Sequence, residues 1–188
     1  GGLSSGVAIG TRSHIGHAAP LIRPTSIIVP GRIMARHIYG FLPGGILCAT
    51  VYMPLARGAS GTQYHTECLQ RLGAFLASLD RPFVVGGDWN CEPTDVEASG
   101  LPQRLQAALL HTEDPACDTK TGAGLTCRCL DFFMVSDVLL QLVRRVELVD
   151  LNMPSHRGVR LTMADFSALA PTRVPRCPRP LPLHRPRG

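Results

Sequence analysis

Strands interleaved with helices make this chain an α/β or α+β domain, with mixed β-sheets covered by helices. Three observations predict it. Short, β-branched apolar runs such as GGILCATVYMP (44–54) and RPFVVGG (81–87) have the length of buried strands. Between them the apolar positions Leu69, Leu72, Phe75, Leu76 and Leu79 recur at spacings of three and four, one face of an amphipathic helix over 63–79. The 188 residues, 45% hydrophobic and 18% charged, suffice for one domain with a real core.

The elements follow in order. GVAIGTR (6–12) and TSIIVPGRIMARHIYG (25–40) read as strands with turns between them. Pro54 closes the run over 44–54, and RGASG (57–61) reads as a loop before the helix. The wholly apolar 81–87 run is expected to have helices on both sides of its sheet. Pro93 and Thr94 open a short helix, and PQRLQAALLH (102–111) reads as another. DTKTGAGLTCR (118–128) reads as a glycine-containing loop. CLDFFMVS (129–136) is a strand, and Ser136 is the expected N-cap of a short helix over 136–143. RVELVDLN (145–152) and GVRLTMADF (158–166) are the last strands.

The net charge of +5 belongs to the end of the chain. Residues 171–188 hold five arginines, six prolines and no acid, and the rest carries 14 basic against 14 acidic residues. Charge over the body therefore gives no argument for nucleic-acid binding. No apolar run reaches the roughly 18 residues of a membrane span. The opening residues lack a basic stretch followed by an apolar one, so an intracellular protein, nuclear or cytoplasmic and not secreted, is expected. Seven cysteines fit no zinc spacing and read as reduced, mostly buried thiols.

The chemistry starts at VVGGDWNCEP (84–93). An apolar strand ends in two glycines, and Asp88 and Asn90 stand two apart. If the strand continues through Asn90, both side chains face one pocket and Trp89 turns away. A carboxylate acceptor beside an amide that donates and accepts suits the positioning of a water molecule. The competing reading makes Asp88 a helix cap and Asn90 a turn residue. Three further stretches weigh against it. Tyr52 ends one strand, Asp131 starts another, and His156 lies in the loop before the last strand. Polar residues at strand ends of four segments converge on one edge of a layered α/β fold.

The order Tyr-x-Pro, amphipathic helix, Gly-Asp-x-Asn, Leu-Asp-Phe-Phe-x-Val-Ser and a late His resembles the endonuclease/exonuclease/phosphatase superfamily, over about Gly6 to Phe166. That superfamily includes exonuclease III-like abasic endonucleases and the endonuclease domains of non-LTR retroelements. The resemblance implies a four-layer sandwich of two mixed β-sheets flanked by helices, and magnesium-dependent phosphoester hydrolysis, with nucleic acid as the substrate. It makes Asp88 the residue that positions or activates the water and Asn90 its orienting partner. It makes His156 a contact to the scissile phosphate, Asp131 the carboxylate orienting that histidine, and Tyr52 a hydrogen-bonding partner near the phosphate. Arg157 is a weaker candidate for substrate binding, and Arg160 reads as solvated. His14, His17, His37, His65 and His111 have no motif around them and receive no role.

Two departures concern the metal. The resemblance implies an Asn strand and a metal-binding Glu upstream of Gly1, so a fragment lacking its leading strands is expected. It also implies an Asp where this chain has Ser155, a weak magnesium ligand. Glu92 is not a replacement. Mg2+ binding is thus doubtful, and the alternative is a non-catalytic or degenerate relative, such as a retroelement remnant, that at most binds a phosphorylated ligand or partner. Substrate choice among DNA, RNA, inositol phosphate and phospholipid, and the oligomeric state, are not written in these motifs.

Residues 1–168 are expected to form the domain and 169–188 a disordered tail. Its six prolines cannot donate to a sheet and it carries few large apolar side chains. Amides beyond Pro171 should exchange with solvent without protection, and any binding of nucleic acid there should weaken steeply with salt. Strong exchange protection in that stretch would show that it packs.

Overall fold

The computed structural model describes residues 6–18, 27–39, 42–114, 117–121, 124–150 and 156–164. The strands are β1 (His17–Ala18), β2 (Ile27–Val29), β3 (Ile33–Ile38), β4 (Ile46–Tyr52), β5 (Phe83–Asp88), β6 (Ala107–Leu110), β7 (Cys117–Thr121), β8 (Gly124–Arg128), β9 (Asp131–Ser136), β10 (Val143–Val149) and β11 (Gly158–Met163). The helices are α1 (Gly58–Ala77), α2 (Pro93–Ala98), α3 (Leu101–Leu105) and α4 (Asp137–Leu140). Seven strands form a mixed sheet in the order β1-β3-β4-β5-β9-β6, with β2 also paired to β3. Within it β4 and β5 are parallel and every other pairing is antiparallel. A parallel pair needs a long crossover, and α1 supplies it.

Alternation along the strands sends Leu47, Ala49, Val51, Phe83, Val85, Phe132 and Met134 to one face. There they pack against Cys68, Leu69, Leu72, Phe75 and Leu76 of α1 and against Val96 and Leu101 of α2 and α3. The other face is less enclosed. Ile46 and Val135 are buried there, with the partly buried Cys48, Val84 and Phe133, against Leu161 and Met163 of the β10–β11 hairpin. A mixed sheet with the smaller β10–β11 sheet stacked on it, flanked by helices, is thus the observed class, as the sequence predicts, and the described residues add the separate β7–β8 pair. Among the described residues no helix is long and apolar enough to cross a membrane.

Several local expectations fail for physical reasons. Residues 6–12 form no strand. Residues 57–61 are not a loop, because α1 starts at Gly58. A Cβ at position 61 would lie 2.7 Å from the Leu55 carbonyl oxygen, so Gly61 permits a close approach of chain to helix where its small size suggested a loop. The expected helix over 102–111 stops at Leu105. Gln106 takes a left-handed conformation, φ 50°, and Ala107–Leu110 pairs with β9 instead. Tertiary pairing overrides the helix preference of Ala and Leu there. The expected loop over 118–128 is the β7–β8 hairpin, closed by Thr121 opposite Gly124.

The 81–87 strand has α1, α2 and α3 on one face of its sheet, and on the other the β10–β11 hairpin packs beside Leu139 of the short helix α4. Ser136 stands at the N-cap position of α4 but makes no cap bond. Its hydroxyl accepts from Phe83 N–H at 2.8 Å and donates to Phe83 O at 3.2 Å, sealing β9 to the start of β5. The expected tail lies outside the described residues, as do Ser155 and residues 165–168 of the expected domain. Burial pushes the Cys91 thiol up to about 12 and the Cys48 thiol up to about 11, in keeping with inert structural cysteines.

The glycine pair that ends β5 is demanded by packing. Gly87 has φ 144°, and a Cβ there would sit 2.1 Å from Val51 O of β4. Gly87→Ala should therefore cost at least about 3 kcal/mol in urea unfolding, whereas Gly10→Ala, with open space around it, should change little. Equal stability of the two variants would show that β4 and β5 are not held this closely.

Candidate active site

Strand register builds the site. Tyr52 of β4 lies opposite Asp88 of β5, and Asp88 lies opposite Asp131 of β9. Registered partners project to the same face, so three polar side chains stand in one row at the end of the sheet. The row lies on the less enclosed face. His156, just before β11, reaches it from the smaller sheet, and its Nδ1 meets Asp131 Oδ2 at 2.8 Å. A cleft of about 400 Å³ is lined by Tyr52, Gly87, Asp88, Asp131, Phe132, Phe133, His156 and Arg157, among others.

The chain turns sharply as it leaves Asp88. Asn90 has φ 52°, a left-handed conformation uncommon outside glycine. Several bonds fix it. Asn90 N–H donates to Asp88 Oδ1 at 2.9 Å, and Asn90 Nδ2 donates to Met53 O at 2.7 Å and to Asp88 Oδ2 at 3.3 Å. The strand does not continue through Asn90, as one sequence reading supposed. Asn90 joins the site by wrapping back onto Asp88, and it does not itself line the cleft. Nor is Asp88 a helix cap: Glu92 caps α2 in a reciprocal pair with Asp95. Trp89 does turn the other way. Its indole is fully buried, stacks on Phe132 at 5.0 Å and 8°, and donates Nε1–H to Phe132 O at 3.0 Å.

Both carboxyl groups resist ionisation. Burial raises the pKa of Asp88 most, the Asn90 N–H opposes that rise, Asp131 adds to it and His156 opposes it. Burial also raises Asp131, against the bond and charge of His156. Although Asp131 is hydrogen-bonded to His156, desolvation outweighs that bond. Nδ1 of His156 is engaged by Asp131, which fixes the orientation of the ring at the cleft wall. Two buried carboxyl groups, each shifted upward, thus stand beside an imidazole in one cleft.

Arg157 is exposed and lines the cleft, whereas Arg160 is exposed and lies 3.5 Å from Glu147. Glu92 is committed elsewhere. It pairs with Arg128 at 3.0 Å and accepts from Cys129 N–H at 3.2 Å, tying the β7–β8 hairpin to α2. Sequence reading missed Arg32. Its guanidinium lies 4.9 Å from the centre of the Tyr52 ring and within 3.4 Å of the Tyr52 carbonyl, on the rim of the row. An arginine in a turn carries no signal for that placement. Among the described residues no three His, Cys, Asp or Glu side chains are grouped to hold a metal ion.

Residues 1–164 match the Endonuclease/Exonuclease/phosphatase family. No curated protein matches the sequence. Solved structures share the fold at low identity. The endonuclease domain of TRAS1, a telomere-specific non-LTR retrotransposon, superposes with a TM-score of 0.64 at 15% identity, over 85% of this chain and 78% of that one. The AP endonuclease LMAP from Leishmania major gives 0.58 at 16%, over 71% and 55%. The 3' phosphatase NExo from Neisseria, bound to product DNA hairpin, gives 0.51 at 15%, over 80% and 70%.

The raised carboxyl of Asp88 makes a stability prediction. A folded pKa above the unfolded one gives a contribution that is full below the unfolded value and lost as pH rises through the folded one. Asp88→Asn removes the charge and keeps an acceptor for Asn90 N–H. The variant should melt at or above wild type at pH 8, and the gap should close toward about pH 4, where the carboxyl is protonated. A wild type that is more stable at pH 8 would show that the bonds from Asn90 outweigh burial.

Proposed function

The chain belongs to the endonuclease/exonuclease/phosphatase family, and from that premise we propose that it hydrolyses phosphodiesters of nucleic acid. One observation carries the reading. Tyr52, Asp88, Asp131 and His156, from four separated segments, meet in one cleft with His156 bonded to Asp131 at 2.8 Å. The similar solved structures, a retrotransposon endonuclease, an AP endonuclease and a phosphatase holding a DNA hairpin, favour nucleic acid over inositol phosphate or lipid. Such a substrate suits a nuclear or cytoplasmic protein.

In this mechanism Asp88 accepts a proton from the attacking water, and its raised pKa improves it as a base near neutrality. Asn90 fixes the orientation of that carboxylate through its backbone N–H and side-chain amide. His156, at the cleft wall, contacts the phosphoryl group, and Asp131 holds its ring in place. The Tyr52 hydroxyl adds a donor on the same wall, and Arg157 faces a neighbouring phosphate. Family membership implies a divalent cation, which would neutralise charge developing on the phosphate. The described residues do not fit magnesium well. Asp131 is occupied by His156 and both Asp88 oxygens accept from Asn90, short of an octahedral oxygen shell.

That mismatch favours a second reading, a relative that binds a phosphorylated ligand without cleaving it. Cleavage of an abasic-site duplex and of supercoiled plasmid across a magnesium titration separates the two. The first reading expects weak cleavage that Asp88→Ala and His156→Ala each lower by about 100-fold or more. Binding of the duplex with no cleavage at any magnesium concentration favours the second.

A further inference from the structure

His65 lies on α1, on the opposite side of the main sheet from the cleft, and is 7% exposed. No motif surrounds it. Its Nε2 is 3.1 Å from the Trp89 carbonyl oxygen. A carbonyl only accepts, so the proton is on Nε2 and the imidazole donates. The Trp89 carbonyl and the Asn90 N–H belong to the same planar peptide unit. That N–H is the one that bonds Asp88 Oδ1 at 2.9 Å. Holding one side of the plane therefore aims the other side at the carboxylate.

We infer that His65 is a positioning residue for the candidate active site, holding the Trp89–Asn90 peptide so that its N–H stays on Asp88. The inference rests on the phosphodiesterase reading of Asp88 and Asn90 for its effect on turnover. The corner it braces is strained, since Asn90 has φ 52°. Its other ties reach neighbouring strands and the loops beside them: Trp89 N–H to Leu130 O at 2.8 Å, Nε1–H to Phe132 O at 3.0 Å, and Asn90 Nδ2 to Met53 O at 2.7 Å. The bond from His65 ties the helix layer to it. Without this donor the peptide plane can rotate, and Asp88 then loses the hydrogen bond that opposes its rise in pKa.

The test compares wild type with His65→Leu, which removes the donor, and His65→Gln, whose amide reaches a similar distance. Two measurements are made on each: turnover of an oligonucleotide phosphodiester with magnesium against pH, and titration of the Asn90 amide resonance, which reports Asp88 without requiring activity. Asp131 and His156, the other charged groups facing Asp88, are unchanged throughout. His65→Leu should lower kcat roughly 10- to 100-fold with little change in KM. It should also move the acidic limb and the Asn90 titration midpoint up by about half a pH unit or more. His65→Gln should recover most of both. A leucine variant that matches wild type in kcat and in the Asn90 titration overturns the inference, and so does a glutamine variant no better than leucine. If the leucine variant does not fold, His65→Asn, too short to reach the carbonyl, takes its place against His65→Gln. If wild type shows no turnover, the phosphodiesterase reading fails, and the Asn90 titration alone still decides the role of His65.

Discussion

The parallel pairing of β4 with β5 runs to the last residue of each strand because position 87 has no side chain. Val51 O occupies the space where a Cβ would go. That contact keeps Tyr52 in register with Asp88, and the pairing of β5 with β9 passes the register on to Asp131. It also carries past the strand ends, where Met53 N–H donates to Asp88 O and Met53 O accepts from Asn90. The row of polar groups follows from backbone geometry, and the side chains only decorate it.

Opposed forces meet at Asp88 and Trp89. Burial works against the charge of Asp88. One residue on, the indole of Trp89 is fully buried and stacked on Phe132. Losing a buried Trp costs of the order of 3–5 kcal/mol. A strongly stabilising anchor thus sits between two residues that burial or backbone strain disfavours. An unfavourable polar corner persists where the structure around it over-determines its shape.

How much of this was legible in the sequence depended on the range of the interaction. The face of α1 could be read from Leu69, Leu72, Phe75 and Leu76 because helical spacing is local. The candidate site was legible too, since Tyr52, Asp88, Asp131 and His156 each stand at the end of a recognisable strand or in the loop beside one, in an informative order. Residues 107–110 were not, because Ala-Ala-Leu-Leu is a strand only by virtue of pairing with β9. The β7–β8 hairpin reads as a loop because its glycines outweigh the Thr residues at 119, 121 and 126. Arg32 and His65 gave no signal at all. Each acts on a residue about 20 or more positions away, and only the folded chain brings them together.

The two-residue alternation of the central strands divides the molecule's obligations. On β4, β5 and β9 the residues Leu47, Ala49, Val51, Phe83, Val85, Phe132 and Met134 serve the core. Residues of the other parity, Tyr52, Asp88, Asp131 and Phe133, face the cleft, which Phe132 also borders. Core packing and the lining of the cleft therefore fall largely on opposite parities of the same strands. Cleft-side residues can thus be exchanged with little disturbance to the core-side ones, so one scaffold can serve many ligands without being rebuilt.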